Sequence, residues 1–171
     1  GIWSSTVSVV EAVKSAQFDA QLSHPNLTCQ WSGVAYVLAI RHLLLHPGDA
    51  QGAFDSAEGT LTENGASEVC GWLTDARRGN LPAFHPQAGF VRIGFTHAFY
   101  HLLHQTPYTD AIFLTLSGGG DTDTNACIVG GLVGALHGAS SIPSAMINSV
   151  MNCDTRQGRL RPEWLHTTQV E

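Results

Sequence analysis

The sequence predicts an all-α protein, an orthogonal bundle of about seven helices that forms a single domain over residues 1–171. Apolar residues recur at helical spacing in successive segments, and proline, glycine or a capping residue bounds most of these segments. Alternating apolar and polar runs between turns, which would predict strands, are missing. The composition, 43% hydrophobic and only 13% charged, is typical of a globular chain that buries a core.

Charge and composition argue against several classes of protein. The net charge is −6 and Lys14 is the single lysine, whereas binding to nucleic acid needs clustered lysine and arginine. The most apolar run, residues 126–138, is far shorter than the roughly 20 residues that cross a membrane. Four separated cysteines without a C-x-x-C pair, together with the lack of a secretory signal pattern, favour reduced thiols and a cytoplasmic protein.

The first part of the chain predicts two helices, over residues 7–22 and 27–46. Pro25 disfavours a helical conformation at His24, so the first helix ends there and His24 lies at a helix terminus. The second helix is apolar nearly all round, which is typical of a helix at the centre of a bundle. From spacing alone, His24 is an ordinary surface residue beside a turn.

Three further helices are predicted, over residues 49–61, 65–78 and about 91–105. The last of them carries His97, His101 and His104 on one face, at spacings of four and three. Such a face could bind zinc, but no acidic residue or cysteine accompanies it, so we expect an exposed polar face instead. The preceding loop, Leu81 to Gly89, is a candidate rim of a binding site.

The C-terminal part of the chain contains the most unusual stretch, Ser117-Gly-Gly-Gly-Asp121-Thr-Asp123-Thr-Asn125, after a helix that begins near Pro107. Residues 126–138 then predict a tightly packed helix, since small residues recur every four positions along one stripe. These are Ala126, Gly130, Gly134 and Gly138. Ser141 is expected to cap a final helix that ends near Cys153, and residues 154–171 form a polar tail with a short helical turn at Pro162.

The carboxylates of Asp121 and Asp123 allow two interpretations. An aspartate before a helix is commonly only a cap, because it accepts hydrogen bonds from free N–H groups. A cap needs one acid, however, and two ionised carboxylates this close repel each other unless a cation lies between them. With the hydroxyl of Thr124 they supply the hard oxygen ligands that Mg²⁺ or Mn²⁺ prefers.

The string Gly-Gly-Asp-Thr-Asp-Thr-Asn-Ala, followed by a small-residue helix that ends at His137-Gly138, resembles the C-terminal signature of the ADP-ribosylglycohydrolases. Leu22-Ser-His24-Pro is similar to the Leu-Thr-His segment of that family. Gly89-Phe-Val91-Arg-Ile, with an Ala-Phe-Tyr-containing helix, is similar to the segment before its metal motif. The resemblance implies an all-α fold and metal-dependent hydrolysis of the bond that links ADP-ribose to a protein side chain.

The same resemblance implies roles for individual residues. Asp121, Asp123 and Thr124 would bind divalent metal, in a site that holds two Mg²⁺ or Mn²⁺ ions in the family, and the two aspartates would be the catalytic residues. His24 would contact ADP-ribose. Gly119 and Gly120 would let the backbone approach the substrate, and Asn125 would support the site. An arginine linkage is preferred over a serine linkage.

Part of the family pattern is missing from this sequence. The family takes further metal ligands from a Thr-Asp-Asp string in an N-terminal half, and no such string occurs here. We therefore expect the C-terminal part of the enzyme, inactive or self-associating alone, with a complementing N-terminal half and ADP-ribose or an ADP-ribosylated protein as partners. Two alternatives remain: a module that binds ADP-ribose without turnover or serves as a crystallin-like structural protein, and a zinc hydrolase built on the three histidines.

Overall fold

Eight α-helices and two short 3-10 turns account for the regular structure in residues 2–153, the part of the chain that the computed structural model describes. No β-strand occurs in that part, which confirms the predicted all-α class. The polar tail and the turn predicted at Pro162 lie outside the described residues. The helices are α1 (Val9–Gln21), α2 (Leu27–Leu45), α3 (Ala50–Glu63), α4 (Ser67–Arg78), α5 (Val91–Leu103), α6 (Tyr108–Ser117), α7 (Thr122–His137) and α8 (Ser144–Met151). The 3-10 turns are Trp3–Thr6 and Ala139–Ser141.

Helix α2 lies at the centre of the bundle, as its apolar sequence predicts. It packs against α1, α3 and α7, and also contacts α4 and α5. Val34, Ala35 and Leu38 on this helix are completely buried or nearly so. Its first turn is capped by Asn26, whose side-chain oxygen accepts a hydrogen bond of 2.8 Å from the backbone N–H of Thr28.

The main hydrophobic core joins α3, α4, α5 and α7 to this central helix. At its middle the ring of Phe99 meets Phe54 edge to face, with 5.8 Å between the ring centroids, and packs against Phe95 at 4.6 Å. Edge-to-face contact is a favoured arrangement of aromatic rings. Aromatic rings from α5 therefore fill the middle of the core between the neighbouring helices.

The small residues of α7 allow a close approach to α6, as the predicted stripe implies. A Cβ atom added to Gly130 would lie 3.0 Å from Cδ1 of Ile112 and 3.4 Å from the hydroxyl oxygen of Tyr108. Gly134 faces the ring of the same tyrosine. Gly138 has a different role, because it ends the helix with a φ of +79°, a conformation that favours glycine.

The prediction of an exposed histidine face on α5 is wrong for two of its three members. His97 is 7% exposed and donates a hydrogen bond of 3.0 Å from Nε2 to the carbonyl oxygen of Pro82. His101 is 2% exposed and pairs through Nδ1 with the hydroxyl of Thr106 at 3.1 Å. Burial disfavours the charged imidazolium, so the pKa of His97 falls below its ordinary value and that of His101 falls to about 4. Only His104 is exposed.

Because His101 is neutral in the folded protein, acid should destabilise the fold. The unfolded chain binds a proton at this residue near pH 6.5, whereas the folded chain does so only near pH 4, so stability is lost as the pH falls through this window. We expect the free energy of unfolding to fall by about 2 kcal/mol between pH 7 and pH 5 from this residue. In urea unfolding, the variant His101→Gln should not show this fall in unfolding free energy between pH 7 and pH 5. The control variant His104→Gln, which changes an exposed histidine, should still show it. An equal pH dependence in all three proteins would contradict the assignment.

Two predicted helix boundaries near the acidic stretch are also wrong. Helix α7 begins at Thr122 instead of Ala126, so Asp123 and Thr124 belong to its first turn. Helix α8 begins at Ser144 and has no side-chain cap. The expected cap, Ser141, lies in the preceding 3-10 turn and donates its hydroxyl to the carbonyl oxygen of Gly138 at 2.7 Å.

None of the helices in residues 2–153 is both long enough and apolar enough to cross a membrane.

Candidate functional site

A cleft of about 840 Å³ opens where the end of α1, the first half of α2 and the start of α7 meet. Glu68 in the first turn of α4 and the segment that leads into α5 complete its walls. His24 and Thr124, which are 100 positions apart in the sequence, both line this cleft. The structure thus brings together two of the residues that the sequence singled out.

The turn that carries His24 is held by hydrogen bonds to the buried side chain of Gln30. Its amide nitrogen donates to the carbonyl oxygen of Pro25 at 2.8 Å, and its amide oxygen accepts from the side chain of Gln21 at 3.1 Å. The ring of His24 itself pairs through Nδ1 with the hydroxyl of Ser23 at 2.9 Å. The imidazole is therefore presented at the cleft from a fixed turn.

The acidic pair lies at the first turn of α7, next to this cleft. Asp121 occupies the N-cap position, but its side chain makes no capping hydrogen bond, so the simple cap interpretation does not describe it. A Cβ atom added to Gly89, a cleft residue, would lie 3.5 Å from Oδ2 of Asp121. The pKa of Asp123 lies below its ordinary value, because hydrogen bonds favour its charged form. The largest contribution comes from the Asp121 carboxyl, and smaller ones come from the backbone N–H groups of Asp123 and Thr124.

Asn125 is almost fully buried beneath this turn, at 3% exposure. Its side-chain oxygen lies against Gly94 of α5, where an added Cβ atom would come within 2.9 Å. Its Nδ2 atom has no hydrogen-bond partner. A buried amide without a partner costs free energy. A group that accepted a hydrogen bond from Nδ2 would therefore be stabilising at this position.

The three glycines before Asp121 accommodate a loop of the same chain. The ring of Phe84 lies against Gly118, and the carbonyl oxygen of Phe84 would be 2.5 Å from a Cβ atom on Gly120. Nε2 of His85 would be 2.9 Å from one on Gly119. Packing against this loop therefore explains the small residues at these positions. A role of Gly119 and Gly120 in substrate binding stays a prediction.

The charged side chains that line the cleft are acidic. Asp19 and Glu68 line it, and its described walls contain no lysine or arginine. Glu68 accepts a hydrogen bond of 2.8 Å from the hydroxyl of Thr28, which fixes the carboxylate at the wall. The N-termini of α2 and α7 both open towards the cleft and supply partial positive charge. An anionic ligand would thus need these helix ends and a bound cation.

The donor atoms at the start of α7 fit a hard divalent ion only in part. Two carboxylates and the Thr124 hydroxyl are the ligand types that Mg²⁺ and Mn²⁺ take, with water completing the coordination. Within residues 2–153, however, no three histidine, cysteine, aspartate or glutamate side chains are arranged to hold a metal ion. The described residues therefore match part of one coordination sphere and do not form a two-metal centre. The same finding leaves no support for zinc on the α5 histidines.

Several residues of the cleft were not identified from the sequence. Asp19 and Glu68 come from different helices, and Tyr36 and Phe95 carry no motif. Tyr36 donates a hydrogen bond of 2.7 Å to the carbonyl oxygen of Ile128, which joins α2 to α7 at the base of the cleft. Only packing places such residues together, so no local pattern could have revealed them.

Comparison with known proteins agrees with the resemblance. A protein of Acanthamoeba polyphaga mimivirus named "Putative ADP-ribosyl glycohydrolase" is 45% identical over 69 residues, which make up 40% of this chain. The aligned part spans 21% of that relative's length. No solved structure shows significant similarity to the chain. The sequence model of the family described as ADP-ribosylglycohydrolase matches residues 2–169. Because that match covers almost the whole sequence, the chain belongs to the ADP-ribosylglycohydrolase family.

Proposed function

We propose that this chain takes part in hydrolysis of the glycosidic bond that links ADP-ribose to a protein side chain. Family membership supports the reaction class. The observation that carries the proposal for this chain is the cleft that His24 and Thr124 share, with Asp121 beside it at Gly89. An imidazole and an acidic helix start on one cleft suit a ligand that is both a sugar and a diphosphate.

The proposal assigns a role to each of these groups. Asp121 and Asp123 would hold Mg²⁺ or Mn²⁺, with Thr124 as a further oxygen ligand. A bound ion of this kind supplies Lewis-acid stabilisation of charge that develops on the substrate oxygens. His24 would donate a hydrogen bond to the ribose or to a phosphate. Asn125 would hold the first turn of α7 in place beneath the acidic pair.

The charges of the cleft favour arginine as the modified residue. Asp19 and Glu68 would repel a bare diphosphate, but they attract a positively charged group. The guanidinium of an ADP-ribosylated arginine is such a group, whereas a serine linkage carries no charge. Arg92 of the chain does not compete for this position, because it forms an ion pair of 2.8 Å with Asp75.

Binding of ADP-ribose tests the proposal without requiring turnover. Calorimetry in the presence of Mn²⁺ should detect binding to the chain, and we expect His24→Ala to weaken it by about tenfold, the value of one lost hydrogen bond. The control His104→Ala changes an exposed histidine at the far end of α5 and should leave the affinity unchanged. Equal affinities for the His24 variant and the unchanged protein would remove His24 from the site.

A second function, binding of ADP-ribose without turnover, is favoured by one observation. The described residues offer two carboxylates at the start of α7 and no third acidic, histidine or cysteine ligand. Complete catalysis would then need a complementing N-terminal half as a partner. Release of ADP-ribose from ADP-ribosyl-arginine by the purified chain alone would exclude this second function and the need for a partner.

A further inference from the structure

Two of the four cysteines line the cleft, on two different helices. Cys29 belongs to α2 and is half-buried, whereas Cys127 belongs to α7 and is exposed. Both are free thiols. Cys70 and Cys153 do not belong to the cleft walls, and Cys70 lies 3.8 Å from the hydroxyl of Thr62. The cleft thus combines an accessible cavity with two nucleophilic sulfur atoms that the proposed hydrolysis does not use.

The positions of these thiols place them in the path of a ligand. Cys127 follows Thr124 by three residues, so both lie on the same face of α7. It also neighbours Ile128, the residue whose carbonyl oxygen accepts the Tyr36 hydrogen bond at the base of the cleft. A group attached to Cys127 would therefore lie in the cleft, whose walls also include Thr124 and Tyr36.

We propose that Cys127, and secondarily Cys29, make the cleft a site of reversible thiolation by low-molecular-weight disulfides. In this reaction the cysteine thiolate attacks one sulfur of the small disulfide. The disulfide bond of the reagent breaks, a mixed disulfide forms on the protein, and the other half leaves as a thiol that takes up the proton lost by the cysteine. No other oxidant is needed, and excess thiol reverses the reaction.

The mixed disulfide closes the cleft because the added group occupies it. A tripeptide thiol such as glutathione is comparable in size to a part of ADP-ribose, so it fills space that this ligand would need. Exclusion of ADP-ribose rests on the proposed function, whereas thiolation and filling of the cleft do not.

Peptide mass spectrometry of the chain after incubation with glutathione disulfide tests the site. We expect Cys127 to gain a glutathionyl group at least about fivefold faster than Cys70, because access governs the exchange rate. A second measurement reads closure without ADP-ribose. Where Cys127 is glutathionylated, the Cys29 thiols that are still free should be alkylated by N-ethylmaleimide at least about fivefold more slowly, whereas alkylation of Cys70 should stay unchanged. In Cys127→Ser the same treatment should leave the free Cys29 thiols reacting as fast as before.

A third measurement links closure to the ligand. The dissociation constant for ADP-ribose is compared before and after treatment with glutathione disulfide, within each protein. This constant should rise more than about tenfold in the unchanged chain, but it should stay nearly the same in Cys29→Ser/Cys127→Ser. A chain that binds ADP-ribose but gains no group on Cys127, or that binds equally well when fully modified, would overturn the inference. An untreated chain that does not bind ADP-ribose, with thiolation and protection of Cys29 still observed, would instead overturn the proposed function alone.

Discussion

Asparagine in place of both Asp121 and Asp123 is expected to abolish Mn²⁺ binding at the start of α7 and to lower metal-dependent release of ADP-ribose by at least about 100-fold. The substitution removes two negative charges and leaves neutral amide oxygens, which are weaker ligands for a hard cation. Asp121 makes no capping hydrogen bond, so the helix should lose little stability. Electron paramagnetic resonance of Mn²⁺ measures the binding directly, and hydrolysis is measured with any complementing half present.

Asp110→Asn is the matched control for this double variant. Asp110 is also an exposed carboxylate in the first turn of a helix, in this case α6, and it does not line the cleft. We expect its loss to change neither Mn²⁺ binding nor hydrolysis. If the double variant bound Mn²⁺ as tightly as the control, the acidic pair would be a structural feature of the helix start only.

Most helix boundaries could be predicted from the sequence because the chain carries strong stop signals. Pro25 separates the first two helices, and Gly79 ends α4 in the left-handed conformation, at a φ of +72°, after two arginines. These signals act on the backbone locally, so their effect does not depend on distant packing. The start of α7 was missed because aspartate and threonine are poor residues for the interior of a helix but good ones for its first turn.

Burial of the α5 histidines could not be predicted, because it depends on parts of the chain far from them in sequence. His97 is covered by the loop that contains Pro82 and Phe84, with 4.3 Å between the His97 and Phe84 rings. An imidazole without its charge packs as a small aromatic group, and only the tertiary partner decides whether it does so. Spacing along one helix therefore showed which residues share a face but not what covers that face.

The candidate site was predictable only where a motif identified it. Asp121, Asp123 and Thr124 stand in one string, but nothing in their spacing relates them to His24. The shared cleft requires α1, α2 and α7 to meet, an arrangement set by side chains such as Tyr36. Residues that shape the charge of the cleft, Asp19 and Glu68, stand outside any motif, so their contribution became visible only with the fold.

Phe99→Ala is expected to cost about 3–5 kcal/mol of unfolding free energy, which is a large share of the stability of a domain this size. Phe99 is completely buried and contacts both Phe54 and Phe95, so truncation leaves a cavity that its neighbours can fill only in part. Urea unfolding followed by circular dichroism gives the change, at a protein concentration where the chain is monomeric by sedimentation.

Phe113→Ala separates this cavity effect from a general effect of losing an aromatic ring. Phe113 also lies within a helix, α6, but 67% of it is exposed. We expect this control to change the unfolding free energy by less than about 0.5 kcal/mol. Because α5 packs along α7, which bears the acidic turn, the Phe99 variant should also weaken Mn²⁺ binding at temperatures where it begins to unfold. Similar losses of stability in the two variants would mean that the α5 ring does not organise the core.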